Sequence, residues 1–379
     1  MLEAQGTGNL SNSVHWDWEN ASVSSIQAAS VDRVTGNRQV RPSVPEDGPA
    51  IIELMRQAGL DPHVEPEHLH WKYWRERPDW PGSRSFVLTS GTDLLAHGAV
   101  VPGSIRWGAN RARVIHMIDW AARREALGAG VILMKHVGGL TDFLLGIGGS
   151  QDTLSIMPRI GYQPWGTVTG YVRTLAPLGI LRRPVRPGWK RWPRIARSAL
   201  WRLAAPRSDL RGWRVRQLEP QELDSVGAVL PADRPGLTVF GRTVDALRHA
   251  LACPIVPVEL FVLERNGRAG GYFLLSYAPG QARLVDAWVV SDDPADWRAL
   301  AHAAVQQAQC RGGAAELAVW ASDGAFAQIL RESGFHTRLS LPIYLRPSVG
   351  ESVPSMTPRV HMLDNDAYYL HFGGNELWA

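Results

Sequence analysis

The run Glu125-Ala126-Leu127-Gly128-Ala129-Gly130 has the residue types and spacing to hold a phosphate group. Glycine lets the backbone come close to a ligand, and the free N–H groups at a helix start attract anions. The flanking sequence supplies both settings. Val114, Ile115, Met117, Ile118 and Trp120 form a β-rich run that ends at Ala121, and Val131 to Val137 is an apolar helical stretch without proline. A dinucleotide fingerprint needs three glycines directly after the strand and an acidic residue about 20 positions on. Neither condition is met well here. On the strand before the loop, His116 shares a face with Val114, Ile118 and Trp120 by parity, and Asp119 faces the other way.

The surrounding elements must place these groups. Arg41 to Gly59 reads as a strand and a helix, with Glu46 and Asp47 in the first turn where the helix dipole favours them. Ser85 to Thr89 and Leu94 to Pro102 form a hairpin around Gly91-Thr92-Asp93. Phe143 to Ile147 is a short buried strand, and Gly148-Gly149-Ser150 leads into a helix from Gln151 to Arg159 that closes at Gly161-Tyr162.

This order, together with the glycine loop, resembles the GCN5-related N-acetyltransferases over roughly residues 38 to 175. Their acyl-CoA loop reads Arg or Gln, two residues, Gly, one residue, Gly or Ala; Glu125 stands here where the family has Arg or Gln, with Arg123 and Arg124 beside it to offset the charge. The resemblance implies an acyl-CoA, acetyl-CoA or another, as co-substrate, held by Trp120, Ala121, Arg123, Arg124, Leu127, Gly128, Ala129, Gly130 and Val131. It also implies transfer of the acyl group to the amine of a small molecule or amino sugar. Such a reaction needs a base for the amine, donors for the oxyanion and an acid for the leaving thiolate. His116 is the candidate base, the structural alternative being a hydrogen-bonded core histidine. The family places a Tyr four residues before the closing Gly-aromatic pair, and that position is Met157 here. Ser150 and Tyr162 are therefore the candidate acids. Trp71 and Tyr73, in an aromatic cluster with His68, His70 and Trp74, and Asp119 are the candidate acceptor contacts, unless this is simply a Trp-rich helix packed on the sheet.

The second half repeats the plan. Trp213 to Leu218 is a strand, Pro220 to Val229 a helix, and Val258 to Glu264 with Ala269 to Tyr277 a hairpin. Arg283 to Val290 contains Asp286-Ala287-Trp288, an echo of Ile118-Asp119-Trp120, and a helix from Pro294 to Cys310, a strand from Glu316 to Trp320, another helix and Gly334-Phe335 follow. Leu284 stands in the place of His116, Leu330 in that of Met157, and Val289 to Pro294 carries no glycine loop. The expected fold class is α/β with a mixed sheet, built as two tandem acetyltransferase-like modules, the second degenerate and without CoA. The boundaries are a disordered segment 1–38, an acyl-CoA-binding module 39–177, a basic linker 178–212, a degenerate module 213–347 and a docking segment 348–379.

Length and composition agree. The chain has 379 residues, 45% of them apolar and 20% charged, enough for two domains with cores of their own. No signal-peptide pattern and no apolar run of membrane-spanning length is present. Cys253 and Cys310 have neither metal-ligand nor redox spacing and read as inert core thiols, which points to a cytoplasmic protein with no metal site. Phosphate loops of the Gly-Lys-Ser type, zinc His-Glu motifs and serine-nucleophile elbows are absent.

The net charge of +4 hides an asymmetry, because residues 178 to 216 carry twelve Lys or Arg against one Asp. Within this stretch a helix from Pro193 to about Leu203 places Trp192, Ala196, Ala199 and Leu203 on one face and Arg194 and Arg197 away from it. Packing between the modules, peripheral contact with an anionic membrane, and, least of the three, nucleic-acid binding are the readings open to it. Two alternatives to acyl-CoA chemistry also stand: a tRNA-dependent aminoacyltransferase of the peptidoglycan-bridge type, and a non-catalytic binding or scaffold protein that keeps the fold.

Overall fold

A computed structural model describes residues 38–149, 151–182, 191–348 and 350–370. The expectations for residues 1–37, for Ser150, for part of the basic linker and for the last nine residues fall outside the described residues. Arg38, assigned above to the disordered segment, begins the first strand.

The strands run β1 (Arg38–Pro42), β2 (Ser85–Ser90), β3 (Asp93–Trp107), β4 (Asn110–Ala122), β5 (Phe143–Ile147), β6 (Gln163–Thr174), β7 (Arg214–Gln217), β8 (Leu237–Phe240), β9 (Val258–Arg265), β10 (Arg268–Ala278), β11 (Gln281–Val289), β12 (Glu316–Ala321), β13 (His336–Pro347) and β14 (Thr357–Arg359). The main helices are α1 (Gly48–Gln57), α2 (Pro66–Leu69), α3 (Ala129–Gly138), α4 (Gln151–Ile156), α5 (Arg191–Ala204), α6 (Val244–Leu251), α7 (Pro294–Arg311) and α8 (Gly324–Glu332).

All strands join one mixed sheet in the order β1-β2-β3-β4-β5-β13-β6-β12-β11-β10-β9-β7, with β8 and β14 attached through β3. The two halves of the chain therefore meet by exchanging strands. β13, from the second half, lies against β5, and β6, from the first, lies against β12; the two long strands pair antiparallel with each other between them. Local pattern alone did not predict this, because both strands are amphipathic enough to pair with either neighbour.

Strand alternation sorts the core of the first half. Phe86, Leu88, Val100 and Ile115 point toward α3, packing with Leu133, Met134 and Val137. Val87, Ala99 and Ile118 point toward α1, packing with Ile51, Leu54 and Met55. In the second half α7 is buried almost all round through Ala299, Leu300, Ala301, Ala303 and Ala304, small side chains that let it lie close to the sheet. Cys253 is buried as expected, whereas Cys310, near the end of α7, is exposed rather than a core thiol.

Candidate functional site

β4 and β5 are parallel neighbours for only three residue pairs, ending at His116↔Leu145. Beyond this point the strands separate, and β4 keeps its ladder to β3 alone. The register against β3 shifts between His97 and Ala99, opposite Ile118 and Ala121, so Asp119 and Trp120 form a bulge, with Asp119 at φ +50°. The bulge cancels the parity expected for this strand. Asp119 does not face away from His116: both line the same cavity.

Two cavities flank the gap. A smaller one of about 310 Å³ lies in the opening itself, against Met117, Asp119, Trp120, Gly146, Met157 and Tyr162. A larger one of about 600 Å³ lies where the two halves of the chain meet, against Trp71, Arg84, Arg242, His249, Asp364 and Tyr368. His116, Ile118, Leu145 and Lys72 line both. His116 Nδ1 lies 3.0 Å from the carbonyl oxygen of Leu145. Since a carbonyl only accepts, Nδ1 carries the proton and the Nε2 lone pair is left free. Burial lowers the His116 pKa to about 4, so the ring is neutral near pH 7.

Lys72 reaches this junction because residues His70–Trp74 form a single π-helical turn that buries Trp71, Lys72 and Tyr73 together. Its ammonium lies 2.5 Å from Asp119 Oδ2, and Tyr73 Oη donates to the same oxygen at 2.8 Å. Burial alone would raise the Asp119 carboxyl, but Lys72 and these hydrogen bonds hold it below the usual carboxylate range. Tyr73, expected as an acceptor contact, spends its hydroxyl on Asp119 and lines neither cavity, whereas Asp119 lines the smaller one and takes both of these contacts on Oδ2. Trp71 does line the larger one, where its indole stacks on His249 at 4.8 Å and donates to the His249 carbonyl.

The glycine loop starts α3. Gly128 is its N-cap at φ +76°, a left-handed conformation that favours glycine, with no side chain capping the helix and open space where a Cβ would stand. Gly130 serves differently. A Cβ there would meet the Trp120 indole at 3.1 Å, and Trp120 Nε1 donates to the Gly130 carbonyl, so this glycine makes room for Trp120 rather than for a ligand. Leu127 is 77% exposed, Ala121 and Ala129 are buried, and Val131 is half-buried. Arg123 and Glu125 form an exposed pair at 3.9 Å, which neutralises the acidic departure locally.

Tyr162 lies beside Met157: a Cβ on Gly146 would meet Met157 at 2.5 Å and the Tyr162 ring at 3.5 Å. Burial pushes its phenol up to about 12, so it stays protonated. The structure thus brings His116, Tyr162, Trp120 and Asp119 to one opening, whereas Ala121 and the residues from Arg123 to Val131, expected to hold the acyl-CoA, line neither cavity.

Sequence reading missed the C-terminal contribution. The segment after β14 supplies Asp364, Tyr368 and Tyr369 to the larger cavity and Asp366 and Leu370 to the smaller. Asp366 is half-buried near Lys72 and Asp119, and desolvation lifts its carboxyl to about 6. The signal was there in Asp364-Asn365-Asp366-Ala367-Tyr368-Tyr369, three polar residues set in an aromatic run too apolar for a free tail.

No protein-family model and no curated protein sequence matches the chain. Solved structures do. A GCN5-related N-acetyltransferase from Anabaena variabilis ATCC 29413 is similar over 82% of this chain and 72% of its own, at 10% identity and a TM-score of 0.53. A probable N-acyltransferase from Enterococcus faecalis V583 covers the same shares at 13% identity and a TM-score of 0.54. Saccharomyces cerevisiae N-myristoyltransferase, solved with myristoyl-CoA bound, covers 83% of this chain and 80% of its own, at 13% identity and a TM-score of 0.54. At these identities the likeness establishes the fold, a mixed α/β sheet of the GCN5-related N-acetyltransferase kind.

Proposed function

We propose that this chain, built on the fold of the GCN5-related N-acetyltransferases, moves an acyl group from acyl-CoA to an amine, with the donor in the β4–β5 opening and the acceptor in the larger cavity. The observation that carries the reading is the meeting of the two cavities at a histidine whose Nε2 lone pair is left free by the Nδ1 contact to Leu145. A donor and an acceptor held in separate cavities that share one basic nitrogen are positioned for direct transfer.

The residues divide the work. The uncapped start of α3 favours a pyrophosphate, and Trp120 braces that helix start against the strand carrying the bulge. Past His116 the β4 backbone has no β5 partner, so its free amides are available to a thioester arm and to the oxyanion that forms on its carbonyl. The neutral acceptor amine attacks that carbonyl, forming the C–N bond. His116 Nε2 takes the proton from the nitrogen of the adduct. The C–S bond then breaks, Tyr162, which lines the cavity, protonates the leaving thiolate, and the proton on His116 restores the phenol through solvent. The second half shapes the acceptor side through Arg242, His249 and the C-terminal aromatic residues and binds no acyl-CoA itself.

The test is kinetic. His116→Ala and His116→Gln should lower turnover by roughly 10² to 10⁴ while leaving acyl-CoA affinity close to that of the parent, the signature of a lost general base. Turnover near the parent level in a folded variant would return His116 to the role of a core histidine.

A further inference from the structure

Helix α5 is apolar on both sides. Its inner side, Ile195, Ser198 and Trp201, is anchored: Trp201 stacks on His336 at 3.9 Å, with the guanidinium groups of Arg197 and Arg338 4.7 and 5.0 Å from the ring. The outer side carries Trp192, Ala196, Leu200 and Leu203 on one stripe, and Trp192, Leu200 and Leu203 are 68%, 66% and 83% exposed. Of the face read from the sequence, Trp192, Ala196 and Leu203 point outward and Ala199 is half-buried, so the stripe is not spent on packing between the two halves of the chain. Leu178, in the helical turn Pro177–Arg182 against which α5 packs, adds another apolar side chain at 67% exposure. Single exposed apolar residues are ordinary; a row of them on a firmly anchored helix marks a surface that something covers.

We propose that this face docks on an anionic membrane surface. Charge selects the occupant. The stripe is bordered by exposed Arg197 and Arg202 and followed by Arg207 and Arg211, within a stretch of twelve basic residues and one acidic residue, while the rest of the chain is net acidic. A second copy of the chain would set this cluster against itself. A nucleic acid would engage the arginines but leave Leu200 and Leu203 in water. A bilayer with acidic lipids satisfies both, taking the indole and leucines at the acyl boundary and the guanidinium groups among the phosphates.

Flotation of the full chain with vesicles of phosphatidylcholine alone, and of equal parts phosphatidylcholine and phosphatidylglycerol, tests this. The chain should float with the acidic vesicles, less so as salt rises, and the triple variant Trp192→Ser, Leu200→Ser, Leu203→Ser should bind them at least tenfold more weakly with its melting temperature unchanged. Three results would overturn the proposal: no flotation with acidic vesicles at low salt, equal flotation of the triple variant, or self-association or tRNA binding that depends on these residues in place of vesicle binding.

Discussion

The same backbone event occurs twice in this sheet, with opposite outcomes. β4 and β5 part after His116↔Leu145, and β11 and β12 part after Leu284↔Val319. The first opening holds a cavity; the second is filled by the protein itself. There Trp288 is 2% exposed, packed edge-on against Trp297 and covered by the guanidinium groups of Arg234 and Arg359. Arg359 pairs with Asp323, and Ser322, just after β12, bonds to Pro358 and Val360. The helix starts differ in the same way. α3 begins at a bare glycine, whereas the Asp293 side chain accepts from Ala295 at 2.8 Å and sets its own carboxylate where α7 would otherwise meet an external anion.

Even the buried clamps correspond. Asp119 is held by Lys72 and Tyr73, and Asp286 by Arg242 and Tyr272, with Arg242 also bound to Asp364. The C-terminal segment links the two regions, since Pro358 to Val360 close the second opening and Asp366 and Leu370 line the first. One opening thus remains a cavity, and the other is filled by core side chains.

The largest contrast should come from the two tryptophans. Trp288→Ala is expected to cost about 3–5 kcal/mol in urea unfolding, as for other large core truncations, without creating a second ligand site. Half-buried Trp120, by the same argument, should cost less in stability and more in acyl-CoA affinity when changed to Ala. Equal stability losses at the two positions would erase the distinction between filled and open.

Acid should act on both regions together. Burial lowers His97 and His116 beside the first opening and His361 beside the second to about 4, against an ordinary value of 6.5. Each favours the folded state fully above pH 6.5, and that contribution is lost as the pH falls toward 4, by roughly 3 kcal/mol for each ring. Asp364 and Asp366, raised to about 6, work the other way: their contribution is full below their unfolded value of 3.8 and lost as the pH rises through 6. His63, lowered to about 4, and His249, lowered to about 2, act in the same direction as these three, so with five histidines against two carboxylates unfolding free energy measured by denaturant should be lower at pH 4.5 than at pH 7. A flat profile would mean that these rings are not held neutral.

Glu125→Arg should have the smallest effect. The side chain is exposed and, among the described residues, paired with Arg123 alone, so adding a cation beside the helix start is worth about 0.2–1 kcal/mol, a few-fold tighter acyl-CoA binding at most. Markedly weaker binding would give Glu125 a role in holding Arg123.

What the sequence made legible was local. The glycine loop, the strand before it, the Phe143–Ile147 strand and the repeated order all follow from periodicity and turn residues, because these depend on near neighbours. The bulge that turns Asp119 inward was not legible, since one extra residue in a strand leaves no pattern of its own. Nor was Lys72, which a π-helical turn delivers to Asp119, nor Arg84 and His249, which meet across the halves of the chain. Gly130 shows a subtler limit: the motif marked a small residue correctly, but the group it makes room for is Trp120.

Titration calorimetry of the full chain with acetyl-CoA tests the central claim that one opening was kept and the other closed. One site per chain is expected, and it should weaken at least tenfold in Gly128→Val, whose side chain would stand at φ +76° in the open space before α3, with the fold retained. Two equivalent sites, or undiminished affinity in a folded Gly128→Val protein, would contradict it.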